Sequence, residues 1–165
     1  RVLFRSLSAV RPGHKVLDIA GGTGDLAYKF SKLVGDEGQV VLSDINSSML
    51  NVGRDRLIDR GVNQNVQYVQ LDAQHIPFDD NSFDLVIAIA TIHNLDKAGV
   101  KKSLEEIVRV TKKDAFIKVN GYKTEDERGK LEGWNLVANT ILHEEEWLEL
   151  FNETGYIYDY DFFVP

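Results

Sequence analysis

Five short, nearly continuous apolar runs punctuate this chain, and between them the apolar residues recur at helical spacing. The runs are "KVLDIA" (15–20), "QVVLSDI" (39–45), "VQYVQLD" (66–72), "FDLVIAIATI" (83–92) and "DAFIKVNGY" (114–122). Strands of this length and character belong in a parallel sheet covered on both faces. Leu26, Phe30, Leu33 and Val34 share one helical face, and Val100, Leu104, Ile107 and Val108 share another. Met49, Leu50, Leu57 and Ile58 mark a further helix, opened near "NSS", where Asn46 or Ser47 is placed to cap it. "EEEWLELFNETG" reads as a last helix, with acids in its first turn, Trp147, Leu148 and Phe151 inward, and Gly155 just past its end. Such regular alternation predicts right-handed βαβ units and an α/β fold with a doubly wound, mostly parallel sheet.

With 165 residues and no interdomain linker, residues 1–165 read as one domain able to bury a real core. The least regular stretch is "KTEDERGKLEGWNLVANT" (123–140), where Thr124 and Glu127 have capping-box spacing ahead of a short helix or lid. The net charge of -7, with no basic stripe interleaved with aromatics, argues against a nucleic-acid or anionic-membrane binder. Absent cysteines exclude disulfides, zinc–thiolate sites and thiol nucleophiles, and fit a cytoplasmic location. "RVLFRSLSAV" is too short for a signal peptide, and no apolar run reaches membrane-spanning length. Arg1 in place of an initiating Met reads as the start of a fragment. "HEEEW" lacks a second histidine four residues on, so no metal is expected.

"KVLDIAGGTGDLA" (15–27) runs from the first strand through a glycine cluster into a helix. Gly22, Gly24 and Ala27 satisfy the loose pattern G-x-G-x-x-A of dinucleotide sites, and Asp44 ends the second strand where a ribose-binding acid sits. A nicotinamide-dependent oxidoreductase is thus one reading. The other acids oppose it. Asp18 lies beside the turn and Asp25 at the start of the helix, where carboxylates repel a pyrophosphate. Asp72 follows the third strand, so Asp18, Asp44 and Asp72 are expected to converge on one crevice at the carboxyl edge of the sheet. A phosphate-free cofactor with cationic groups, a ribose diol and an adenine amine suits that crevice. S-adenosylmethionine has all of these.

At these residues the chain resembles the class I S-adenosylmethionine-dependent methyltransferases, whose fold is Rossmann-like. Residues 15–87 are similar to the ubiquinone/menaquinone biosynthesis C-methyltransferase family, through "VLDIAGGTGDL", "VVLSDINSSML" and "NVQYVQLDAQHIPFDDNSFD". The resemblance implies that Gly21, Gly22, Thr23 and Gly24 wrap the methionine part of the cofactor. Asp44 would take the ribose hydroxyls, Ile45 and Met49 flank the adenine, and Asp72 and Ala73 contact its edge. Asp18 and Ala90 are counted with this set, as is Ala20, which stands where many class I enzymes have a first glycine. After Val86 the match fades: "IAIATIHNLD" keeps Asn94 of the family's Phe-Gly-Leu-Arg-Asn-like stretch and has Ile89 in place of its serine. The later sequence looks like a less characterised small-molecule branch, a change that a hybrid of two branches would also produce. Class I enzymes usually close with a sixth strand and an antiparallel seventh. Here only "YIYDYDFFV" (156–164) follows the last helix, so the antiparallel strand is expected to be missing. The edge left uncovered invites pairing with a second subunit.

Methyl transfer is an in-line displacement for which a protein chiefly aligns the acceptor and excludes water. His93, past the fourth strand, and Tyr122, past the fifth, are the candidate bases. His75 reads as adenine-side or structural, His14 and His143 as surface or capping residues, and Trp134 as a candidate for the acceptor pocket. The expected function is methylation of a small-molecule acceptor, quinol-type or otherwise aromatic. A methyltransferase fold that binds without turnover remains the alternative.

Overall fold

The computed structural model describes residues 9–62, 64–134 and 137–165. The amino-terminal segment read above as too short for a signal peptide lies, up to residue 8, outside the described residues, as do residues 135 and 136 of the irregular stretch. Six strands form one sheet: β1 (Lys15–Ile19), β2 (Gln39–Asp44), β3 (Val66–Gln70), β4 (Phe83–Ile89), β5 (Thr111–Asn120) and β6 (Asp159–Phe163). Their order is β3-β2-β1-β4-β5-β6, and every neighbouring pair is parallel. Both expectations hold: the sheet is doubly wound, and β6 pairs directly with β5 with no antiparallel strand between them. The winding reverses between β1 and β4, which opens a crevice at their carboxyl ends.

The helices are α1 (Asp25–Val34), α2 (Ser47–Asp59), α3 (Lys97–Val110), α4 (Glu125–Trp134) and α5 (Glu144–Thr154), with a short 3-10 turn at Ile92–Asn94. Helices α1 and α2 bury Ala27, Phe30, Val34, Leu50 and Leu57 against one face of the sheet. Helices α3 and α5 bury Leu104, Ile107, Trp147 and Phe151 against the other. Among the described residues no helix is long and apolar enough to cross a membrane.

The buried faces are shifted from those the hydrophobic letters suggested. Leu33, Met49, Ile58 and Leu148 are exposed, whereas Ala27, Ser31, Gly53 and Leu150 are buried. Small residues carry the closest helix–sheet contacts, and a hydrophobicity pattern gives them no weight. A Cβ on Gly53 would lie 2.9 Å from the Gly22 carbonyl oxygen and 3.1 Å from Leu42 Cδ2, so this glycine lets α2 seat on the glycine turn.

The caps follow the sequence closely. Asn46 caps α2 by accepting from the Ser48 N–H at 2.9 Å. Thr124 and Glu127 form the capping box of α4, and His143 with Glu146 forms that of α5. Strand β5 starts three residues earlier than its apolar run, at Thr111, directly after α3. Thr111 closes that helix by donating its hydroxyl to the Ile107 carbonyl at 2.6 Å.

Candidate functional site

Strand β1 delivers the chain into the turn Ala20–Gly24 at the sheet's switch point. Ala20 adopts φ 53°, a left-handed conformation that a glycine would occupy at less cost, in keeping with the residue type it replaces. Gly24 N–H returns to the Gly21 carbonyl at 3.0 Å, and Gly21 N–H donates to the Ser43 carbonyl at 2.9 Å, which ties the turn to β2. Gly21 passes directly over Asp18, so close that a Cβ there would lie 2.5 Å from the carboxyl Oδ2.

Asp18 is 1% exposed, and its Oδ2 has no hydrogen-bond partner among the described residues. Burial, followed by repulsion from Asp44, raises its pKa to about 7, against an opposing hydrogen bond from the Ala27 backbone. It therefore lies beneath the turn, not at a rim. The expectation that three carboxylates line one crevice is corrected to this extent: alternation along β1 turns Asp18 inward under Gly21.

Asp44 is partly exposed at the end of β2. Its Oδ2 accepts from Gly22 N–H at 3.2 Å and its Oδ1 from Asn46 N–H at 2.9 Å, so the carboxylate joins the glycine turn to the start of α2. Asp25, read from the sequence as repelling a pyrophosphate, is instead ion-paired with Arg56 at 3.0 Å and Arg60 at 3.4 Å. It braces α1 against α2.

A cleft of about 180 Å³ opens beside the turn. Of the expected cofactor residues, Ala20, Ile45, Asp72 and Ala73 line it, Ile45 with 64% of its surface exposed. Thr91, Ile92, Asn94 and Leu95, which the sequence reading had not put there, form the opposite wall. No Lys, Arg or His lies among the lining residues. Asp18, Gly21, Gly22, Thr23, Gly24, Asp44 and Met49 are outside the lining, but Met49 Cε would lie 3.4 Å from a Cβ on Gly22, so it covers the turn from α2. Ala90 is exposed at the end of β4, in the left-handed region at φ 53°, with its N–H on the Lys118 carbonyl at 2.8 Å.

Asp72 is oriented by its own turn. Oδ1 accepts from Gln74 N–H at 2.9 Å, and His75 N–H donates to the Asp72 carbonyl at 2.9 Å. The following segment is held from α3 by a staple that the sequence reading missed. Glu106 accepts from Ile76 N–H at 2.9 Å and from both Nε and Nη2 of Arg109, at 2.9 and 2.8 Å. Arg109 in turn donates to the carbonyls of Ile76 and Phe78, each at 2.8 Å, and to Asp80 at 2.9 Å. The Arg109 hydrogen bonds hold the Glu106 carboxyl down at about 2. A Glu and an Arg three residues apart on a helix were the available signal.

The two candidate bases are away from the cleft lining. His93 is 2% exposed, and its Nδ1 accepts from Asn120 N–H at 3.4 Å. Burial lowers its pKa to about 4, which leaves the imidazole neutral near pH 7. Tyr122 packs edge-on against His143 with centroids 5.4 Å apart, and the Arg128 guanidinium lies 5.9 Å from its ring. Among the described residues no cluster of metal-ligating side chains is arranged around a common point.

Comparison with known proteins bears on this geometry. The model of the ubiE/COQ5 methyltransferase family matches residues 1–125, well beyond the 15–87 that carry the resemblance. A Teredinibacter turnerae protein, the ubiquinone/menaquinone biosynthesis C-methyltransferase UbiE, is 64% identical over 104 residues, which are 62% of this chain and 42% of that one. The matched segment spans about two fifths of the length of such curated relatives. Among solved structures, a candidate methyltransferase of Bacillus halodurans superposes with a TM-score of 0.75 at 25% identity, covering 93% of this chain and 68% of its own. An S-adenosylmethionine-dependent methyltransferase from Aquifex aeolicus shares the fold at a TM-score of 0.69 and 24% identity, over 93% of this chain and 77% of that one.

Proposed function

The chain belongs to the ubiE/COQ5 methyltransferase family, and from that premise we propose that it transfers a methyl group from S-adenosylmethionine to a quinol-type or other aromatic small molecule. The observation that carries the reading is the composition of the cleft at the switch point: apolar walls, one carboxylate, and no basic side chain. The Gly22 N–H that a diphosphate over the turn would need is taken by the Asp44 carboxylate, which disfavours a nicotinamide dinucleotide. An adenosine with a positive sulfonium finds apolar surface for its base and the Asp72 carboxylate, with Asp44 beside the turn, for its polar edges.

The residues fit the group in their chemistry. Asp44, already fixed by two backbone N–H groups, would take the ribose diol. Ile45 and Met49 would flank the adenine, and Asp72 and Ala73 would meet its amine edge. The turn Gly21–Gly24 would carry the methionine portion, where missing side chains let the backbone approach a ligand. When bound, the cofactor supplies a methyl group whose C–S bond breaks as the acceptor's electron pair attacks, the bonding pair remaining on sulfur. A base is required only where the acceptor must lose a proton first. With Nδ1 accepting a backbone N–H and the ring neutral, His93 acts here as a positioning residue.

Isothermal titration of the full chain tests the reading. S-adenosylmethionine and its demethylated product should both bind, NADH should not, and Asp44→Ala should weaken the cofactor at least tenfold. A wild-type chain that ignores both adenosyl compounds overturns the proposal.

A further inference from the structure

Gln74 stands where the two walls of the cleft approach each other. Asp72 and Ala73 belong to one wall, Asn94 and Leu95 to the other. On the first side, Gln74 Nε2 donates to the Asp72 carboxylate, 3.3 Å from each of Oδ1 and Oδ2. On the second, its Oε1 rests against the first turn of α3. A Cβ on Gly99 would lie 3.0 Å from that oxygen and 3.1 Å from Leu95 Cβ, so the glycine makes the close approach possible. Gly99 is itself held, its N–H on the capping Asp96 Oδ1 at 2.8 Å.

The consequence falls on Asp72. Its Oδ1 accepts from the Gln74 backbone N–H at 2.9 Å, and the side-chain amide, spanning both oxygens, fixes how the carboxylate is turned about that bond. A carboxylate has about four acceptor positions. Oδ2 therefore keeps capacity to spare, and His75 Nδ1, 3.9 Å away, is too far to take it. Asp72 lines the cleft, so that capacity is available to a donor held there.

We propose that Gln74 is a positioning residue for base selectivity: seated against Gly99, it aims the Asp72 carboxylate at the amine of the bound adenine. This rests on the reading of the cleft as an S-adenosylmethionine site. A carboxylate held in one rotation accepts from an amine and repels an oxygen put in its place. One free to turn loses part of that discrimination.

The test titrates the full chain with the demethylated cofactor, S-adenosylhomocysteine, and with S-inosylhomocysteine, in which an oxygen replaces the base amine. The wild type should bind the adenosyl compound at least about tenfold more tightly. Gln74→Met, which keeps the length of the side chain and removes its amide, should cut that ratio at least about fivefold. Gly99→Ala, which presses the amide off its seat, should lower the ratio too. A merely structural loss weakens both compounds alike, so an unchanged ratio in either variant overturns the role of Gln74. If the variants do not fold, the wild-type side-chain amide signals of Gln74, followed by 15N labelling, decide alone. They should move as S-adenosylhomocysteine fills the site, and signals that stay in place overturn the proposal. A wild type that binds the two compounds equally also overturns it, because Asp72 then does not read the amine. A wild type that binds neither is a separate outcome: it removes the methyltransferase reading itself.

Discussion

A methyl group added at position 21 would sit 2.5 Å from the carboxyl of Asp18 and equally close to Leu42 Cδ1. Neither neighbour has room to retreat, because both are fully buried. Gly21→Ala should therefore cost at least about 2 kcal/mol of stability, as overpacking does in a dense core. A urea melt checks this, and an unchanged midpoint would contradict the close approach. The glycine turn and its link to the end of β2 were legible from the sequence, because glycines at this spacing after a strand mark a tight strand-to-helix turn. The burial of Asp18 was not legible. An aspartate at a strand end looks the same whether it faces solvent or a glycine. The side-chain amide of Asn120, buried and without a hydrogen-bond partner among the described residues, was invisible for the same reason.

Elements repeat the lesson through small residues and through pairs. Helix α2 was recognised from its large apolar letters, yet the residue that seats it on the turn is Gly53, 2.9 Å (as a Cβ) from the Gly22 oxygen. Gly53→Ala gains helix propensity of up to about 1 kcal/mol. It should nevertheless be net destabilising, because the opposing atom is backbone, and it should weaken cofactor binding by displacing the turn. Equal cofactor affinity in the two proteins would show that α2 does not set the turn. The Glu106–Arg109 staple acts between elements, holding residues 76–80 from α3. The carboxyl's folded pKa, about 2, lies below its ordinary value of 4.5, so the stabilisation is full above 4.5 and is lost as pH falls toward 2. Glu106→Gln should cost about 2 kcal/mol at neutral pH, discounted for the partly exposed arginine. It should also speed hydrogen exchange at the Ile76 amide, and an unchanged exchange rate would deny the staple its role.

The whole molecule carries two buried groups whose titrations oppose each other. Asp18, raised to about 7, keeps a proton that the unfolded chain releases near 4, so stability falls as pH rises through that window. His93, lowered to about 4, refuses a proton that the unfolded chain takes up near 6.5, so stability falls as pH drops through the same range. Each slope is about 1.4 kcal/mol per pH unit. Together they should leave a plateau between about pH 4 and 6.5. Asp18→Asn should tilt it so that stability climbs with pH, and His93→Gln should tilt it the other way. Urea melts across that range measure both, and parallel curves for the two variants would refute the opposition. By itself the sequence determined the strand order of events along the chain, the covered parallel sheet, the glycine turn and the caps. Those depend on local periodicity and on residues within a few positions of each other. Only the tertiary structure decided which acid is buried, which wall closes the cleft and where an amide is left without partners. Burial and hydrogen bonding are set by atoms from distant segments, and no spacing in the chain encodes which of them meet.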